Sequence, residues 1–156
     1  PAETILAANP DGIMLSNGAG DPSENVGCIV EIKKLLGKKP IFGICLGHQL
    51  LALAAGGKTE KLRYGHRGGN QPVRDLKTGR VYITSQNHGY AVVSESLDKS
   101  VAQLSYVNIN DNTCEGLDYP SLHAYSMQFH PEAHSGPRDM RFSFQRFMDL
   151  MDGGEL

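Results

Sequence analysis

The stretch Pro40-Ile41-Phe42-Gly43-Ile44-Cys45-Leu46-Gly47-His48-Gln49-Leu50-Leu51-Ala52-Leu53-Ala54-Ala55 decides the fold. Ile41 to Ile44 read as a short buried strand, and Leu46 to Ala55 as a strong helix former that Gly56-Gly57 stops. Between them, Gly43-Ile44-Cys45-Leu46-Gly47 is G-x-C-x-G, the thiol form of the nucleophile elbow G-x-S-x-G. Such a turn needs glycine two residues to each side of the nucleophile, because it leaves no room for β-carbons. It lifts the side chain out of the sheet and sets it at a helix N-terminus, where the dipole and free N–H groups favour thiolate over thiol. The N–H of Leu46 then faces the place where an oxyanion would form. A cysteine in an apolar stretch is ordinarily a small buried hydrophobe. The two glycines at the correct offsets reverse that reading.

Outward from the elbow, Ile5 to Ala8 end a short helical piece and Asn9-Pro10-Asp11-Gly12 is a turn. Ile13-Met14-Leu15 lead into the loop Ser16 to Pro22. Apolar residues at 26, 29, 32, 35 and 36 have a helical period, closed by Gly37. Further on, Val81 to Thr84 and Tyr90 to Val93 read as strands around a Gln86–Gly89 bend, with two more strands over Val101–Val107 and Leu122–Phe129. Ser135-Gly136-Pro137 fits a helix start, and Met140, Phe144, Phe147, Met148 and Met151 share one helical face as core packing. Strand–helix–strand–helix before a strand-rich stretch predicts a single α/β domain. Its central sheet is expected to be mostly parallel and flanked by helices, with an additional antiparallel segment.

Composition excludes several classes. The 156 residues, 40% apolar and 21% charged, suit one globular domain. A net charge of −2 gives no field to gather nucleic acid or an anionic membrane. The longest apolar run, Leu50 to Ala55, is far short of the roughly 20 residues a membrane helix needs. The polar start at Pro1 shows no signal peptide. Cys28, Cys45 and Cys114 are widely spaced without C-x-x-C, which predicts a reducing, cytoplasmic setting. Cys28 on its helix and Cys114 near a turn read as structural.

A thiolate nucleophile needs a proton carrier and an orienting acid. His130-Pro131-Glu132 follows a strand. In extended chain i and i+2 point to the same side, and Pro131 holds His130 extended. His130 and Glu132 can therefore lie side by side, as a Cys-His-Glu triad requires.

With these residues in view, the sequence resembles a class I glutamine amidotransferase. Within that family it is similar to the C-terminal half of the small, glutamine-hydrolysing chain of carbamoyl-phosphate synthetase. The segments that carry the likeness are Leu15–Pro22, Phe42–Ala54, Gly65-His66-Arg67-Gly68-Gly69-Asn70, Ser85–Val92 and Gln128–Ala133. The cysteine and H-P-E blocks belong to the whole class; G-H-R-G-G-N and Q-N-H-G-Y-A-V point to the carbamoyl-phosphate branch. The resemblance implies that Cys45 is the nucleophile, His130 the general base and acid, and Glu132 its orienting residue. It implies oxyanion donors at Gly18 and Leu46, and a glutamine site formed by Gly18, Gly20, Leu46, Gln49, Asn87, Gly89 and Tyr90. Helical spacing agrees for Gln49, four residues after Cys45 and on the same face.

The same resemblance implies L-glutamine as substrate, ammonia delivered to the large chain of a synthetase, and no cofactor in this domain, ATP being used by the partner. The family domain normally begins with a further strand–helix–strand, and the small chain carries a separate N-terminal domain that helps enclose glutamine. Residues 1–156 therefore read as a fragment of the domain, with weak or no glutaminase activity expected alone. Ala19, where many relatives have proline, is expected to loosen its loop. The competing readings are the glutaminase chain of another class I enzyme, such as anthranilate synthase, and an inactive partner-binding fragment. G-H-R-G-G-N argues against the first, and the intact triad against the second.

Other motifs are set aside. Gly57-Lys58-Thr59 lacks the upstream glycine of a phosphate loop and ends a helix instead of opening one. His130-x-Glu132-x-His134 is not a helical metal motif, since Pro131 forbids that geometry, and no metal is expected. Lys33, Lys34, Lys38 and Lys39 read as a solvated helix end. His66 and Arg67 read equally as a surface turn or as a contact with the synthetase partner, and His48 and His88 as residues satisfying backbone groups.

Overall fold

A computed structural model describes residues 1–16, 20–130, 142–154 and 156. The elements are α1 (Ala2–Ala7), β1 (Ile13–Leu15), α2 (Val26–Leu35), β2 (Ile41–Ile44) and α3 (Leu46–Ala54). There follow β3 (Lys58–Asp75), β4 (Val81–Val93), β5 (Gln103–Asn108), β6 (Cys114–Tyr119), β7 (Ala124–Met127) and α4 (Phe142–Met151). One seven-stranded sheet runs β1-β2-β7-β6-β5-β3-β4. β1, β2 and β7 pair in parallel, whereas β7–β6, β6–β5, β5–β3 and β3–β4 are antiparallel. The α/β class and the antiparallel addition are as read from the sequence. The parallel part is confined to the three strands around the elbow.

β2 and β7 are buried on both faces, which is why β2 reads as a continuous apolar run instead of an alternating one, whereas the edge strand β1 leaves Met14 exposed. Along β2 the side chains alternate between two cores: Ile41 packs with Leu51, Leu117 and Ala124 on one side, Phe42 and Ile44 with Tyr125, Met127 and Phe147 on the other. Phe42 stacks on Tyr125 with ring centroids 4.4 Å apart. Each such side chain withdrawn from water stabilises by about 1.5–3 kcal/mol. α4 closes the second core through Phe147 and Leu150, and its Arg146 lies over the Tyr125 ring while pairing with Asp118. Met148, expected on the packed face, is instead 54% exposed. Met140 and the expected helix start at Ser135-Gly136-Pro137 lie outside the described residues.

The middle of the chain departs most from the sequence reading. Val81–Thr84 and Tyr90–Val93 are not two strands about a bend but the ends of the continuous strand β4. The G-H-R-G-G-N block is neither a loop nor a surface turn; it lies inside β3, paired with β4. That ladder breaks register between Lys61 and His66 and again between Gly68 and Gln71. Only His66↔His88, Arg67↔Asn87 and Gly68↔Gln86 are paired between the two breaks. Cys114, placed near a turn, opens the unforeseen strand β6, all six of whose residues are buried. Cys28 is exposed, so of the two cysteines read as structural only Cys114 is buried. Lys34 is a solvated helix-end residue as expected, within 3.6 Å of both Glu3 and Glu31.

Candidate active site

The elbow forms as the glycines demand. A β-carbon on Gly43 would stand 2.8 Å from the Gly47 carbonyl oxygen, and one on Gly47 only 2.1 Å from that of Leu15. With both side chains absent, β2 turns into α3 within one residue. That residue is Cys45, at φ 56° and ψ −111°, a conformation rarely adopted by residues other than glycine. Its N–H bonds the Met127 carbonyl of β7 at 2.9 Å, and its own carbonyl accepts the Gln49 N–H of the first α3 turn. The strain is thus held by a strand on one side and a helix on the other.

His130 lies three residues beyond Met127, on the continuation of the strand that fixes Cys45. Its N–H bonds the Ser85 carbonyl of β4 at 3.1 Å. Cys45 and His130 are therefore carried by neighbouring parallel strands. Glu132, the expected third member, and Gly18, the expected second oxyanion donor, lie outside the described residues, as do Ala19 and His134.

Cys45 opens on a cavity of about 130 Å³ lined also by Gly20, Leu46, Gln49, Arg67, Asn87, His88, Gly89 and Tyr90. That is below the roughly 300–1,000 Å³ of pockets for drug-sized ligands and suits a small polar molecule. Every described residue of the expected substrate site is on this wall; Arg67 and His88 were not foreseen there. Gln49 is placed as its helical spacing required, but its amide nitrogen is already engaged, donating to the Tyr90 carbonyl at 2.8 Å and to Gln128 Oε1 at 2.9 Å. Gln128 Nε2 in turn approaches Cys45 Sγ at 3.8 Å. Gln128 belongs to the quoted H-P-E block, yet nothing local marked it as a neighbour of the cysteine.

Known proteins share both the sequence and this architecture. The class I glutamine amidotransferase family model matches residues 1–150. The chain belongs to that family. It is 59% identical over 152 residues to a carbamoyl phosphate synthase small chain from Syntrophotalea carbinolica, covering 97% of this chain and 40% of that one. It is 52% identical over 154 residues to the carbamoyl phosphate synthase pyrimidine-specific small chain of Bacillus subtilis, covering 99% of this chain and 42% of that one. The amidotransferase chain thus spans about two fifths of the length of these relatives. Among solved structures, a protein from Thermoplasma acidophilum assigned to GMP synthase superposes with a TM-score of 0.77 at 23% identity, over 92% of this chain and 73% of that one. A glutamine amidotransferase from Thermotoga maritima gives 0.62 at 20% identity, over 92% and 63%. These two likenesses concern the fold.

Behind the cavity wall of this amidotransferase domain lies a buried polar cluster. Glu115 of β6, with no exposed surface, accepts a short hydrogen bond from Gln86 Nε2. Its other oxygen lies 3.4 Å from His66 Nδ1 and 3.9 Å from His88 Nε2. His66 Nε2 meets Asp111 Oδ2 at 2.7 Å, and His88 Nδ1 meets the Tyr90 carbonyl at 2.7 Å. Burial opposes charge on His66, but hydrogen bonds to Glu115 and Asp111 outweigh it and raise its pKa to about 9. His88 goes the other way, to about 4, through burial; the Tyr90 bond works against that drop and the His66 charge adds to it. Burial also raises the Glu115 carboxyl, opposed by His66 and Gln86. His48, buried in the first turn of α3, bonds Ser126 Oγ of β7 at 2.7 Å, and burial lowers its pKa to about 3. Among the described residues no helix is long and apolar enough to cross a membrane.

Proposed function

We propose that this chain is the glutamine-hydrolysing part of a carbamoyl phosphate synthase small chain, releasing ammonia to a large-subunit partner. Cys45 Sγ, its proton passing to His130, attacks the side-chain carbonyl carbon of L-glutamine, and the oxyanion is held by the N–H groups of Leu46 and Gly18. As the C–N bond breaks, His130, oriented by Glu132, gives the leaving nitrogen a proton and ammonia departs. Water then attacks the γ-glutamyl thioester, His130 taking its proton. The C–S bond breaks, glutamate leaves and the thiol is regenerated. Gly20, Leu46, Gln49, Asn87, Gly89 and Tyr90 surround the substrate.

The observation that carries this reading is the strained cysteine at a helix N-terminus, on a small polar cavity walled by the 87–90 segment. The curated relatives' names supply the chemistry downstream. The domain itself takes no cofactor, ATP being consumed by the partner, and the product is carbamoyl phosphate for arginine or pyrimidine synthesis. Free thiols at Cys28, Cys45 and Cys114 support a cytoplasmic setting.

The test is glutamate release by the full-length small chain with its synthetase partner, beside Cys45→Ser. The variant is expected to lose about 10³-fold or more in kcat. Normal hydrolysis by Cys45→Ser overturns the assignment.

A further inference from the structure

The segment Asn87–Tyr90 walls the cavity, yet the ladder that should hold it breaks inside it, between His88 and Tyr90, and again between Gln86 and Thr84, with only three residue pairs between the breaks. Backbone pairing alone is a weak anchor for a wall that must stand in one place, so side chains must supply the rest. A continuous polar chain runs through this segment. It starts at Glu115, passes to Gln86 and His66, and converges on His88, whose Nε2 is 2.7 Å from Gln86 Oε1 and 3.2 Å from His66 Nδ1. From His88 it continues to the Tyr90 carbonyl, which also receives Gln49, and through Gln128 it ends at Cys45 Sγ. A fully buried carboxylate is costly unless its geometry is fixed by several partners. For Glu115 one oxygen accepts from Gln86, the other lies 3.4 Å from His66 Nδ1 and 3.9 Å from His88 Nε2, and the backbone is tied as well: its carbonyl accepts the Gln128 N–H at 2.8 Å.

Resting on the glutaminase reading above, we propose that Glu115 is a positioning residue for substrate. It fixes Gln86, His66 and His88, and through the Tyr90 carbonyl it sets where the 87–90 wall stands over Cys45. Glu115 does not touch glutamine; its effect is on binding.

The same three side chains suggest a rival. His66 Nδ1, His88 Nε2 and Glu115 Oε1 lie within 4.8 Å of one another, near the spacing of three zinc ligands. The proton-bridged clamp is preferred because His66 stands between two carboxylates, its Nε2 2.7 Å from Asp111 Oδ2 and its Nδ1 3.4 Å from Glu115 Oε1, so a protonated imidazole faces an acid on each side without a metal.

The two readings separate on the isostere. Glu115→Gln keeps an oxygen for the Gln86 amide and fills the same volume, so the clamp survives. Glu115→Met fills the volume but has no hydrogen-bonding head. In the full-length chain with its partner, Glu115→Gln is expected to keep the glutamine KM within about threefold. Glu115→Met raises it at least about tenfold with kcat nearly unchanged, the cost of roughly one buried hydrogen bond to a charged group. Amide hydrogen exchange at residues 86–90 accelerates in Glu115→Met and not in Glu115→Gln. An unchanged KM in Glu115→Met, or a loss confined to kcat, overturns the proposal. So does one equivalent of zinc that survives dialysis and is lost in Glu115→Gln. If Glu115→Met does not fold, Asp111→Asn, which loosens His66 from the outer end, is expected to raise KM about threefold; a wild-type KM there is equally fatal. If the wild-type protein fails to hydrolyse glutamine, the functional reading falls. The exchange rates then judge the clamp: acceleration in Glu115→Met supports it, and its absence ends it.

Discussion

In the β1–β2–β7 half of the sheet, Ile41, Phe42, Tyr125 and Met127 are buried among other apolar side chains; the β3–β4 ribbon buries, beside apolar residues at its ends, the polar His66, Thr84, Gln86 and His88. The first half is held by apolar burial and by backbone approaches that leave no room for a side chain. The ribbon is held across a broken ladder by hydrogen bonds whose partners come from β6 and the residues before it. Both halves face the same cavity. The nucleophile is on the half that resists deformation, and the proposed substrate wall on the half whose position depends on charge and protonation.

The contrast breaks most sharply at Gly47. Its replacement by alanine drives a methyl group into the Leu15 carbonyl. Glycine-to-alanine at this point is expected to cost about 3 kcal/mol or more, read as a lower urea midpoint with loss of glutamine hydrolysis. A wild-type midpoint would show that the elbow has slack.

The next effect comes from pH, and the buried histidines respond in opposite directions, two of them within the ribbon itself. His48 and His88 have pKa values of about 3 and 4 in the folded chain, below the unfolded value of 6.5. The unfolded state therefore takes up protons first as pH falls, and their stability contribution erodes from about pH 6.5 downward. His66, raised to about 9, contributes fully below pH 6.5 and loses that contribution as pH rises through about 9. Urea midpoints across this range should decline at both ends. His66→Asn should flatten only the alkaline decline, and His48→Gln only the acid one. A variant that flattens the opposite limb refutes the assignment.

The smallest effect concerns thiol labelling and leaves stability aside. Cys28 is exposed, Cys45 is 4% exposed on the cavity, and Cys114 is buried with its thiol pKa pushed up by desolvation. A general alkylating reagent should reach Cys28 first, whereas a glutamine-shaped electrophile should mark Cys45; Cys114 should resist both. Peptide mass spectrometry reads all three sites, and equal labelling by both reagents would deny Cys45 any special setting.

What the sequence disclosed follows the same division. The elbow was readable because its determinants are local: two glycines, one thiol, an apolar strand before and a helix after. Gln49 was placed by helical spacing alone. β3 was missed because Gly65, Gly68, Gly69 and Pro72 are strand breakers; the ribbon absorbs Gly65 and Gly69 in its two register shifts and keeps Gly68 and Pro72 paired with β4. β6 was missed because Glu115 and Asp118 sit in a fully buried strand, an arrangement that makes sense only once their partners are known. Gln86 lies 29 residues before Glu115, and Arg146, paired with Asp118, comes from α4. Gln128 escaped for the same reason, its partners Cys45 and Gln49 being 83 and 79 residues away.

The bond from the Cys45 amide to the Met127 carbonyl joins points far apart along the chain. While the polypeptide is being made on the ribosome, β2 can meet β1 early, but it cannot meet β7 until Met127 has emerged from the exit tunnel. A nascent chain stopped short of that residue holds its thiol in an ordinary relaxed backbone. The nucleophile is cocked late in synthesis, once the strand leading to its histidine has docked beside it.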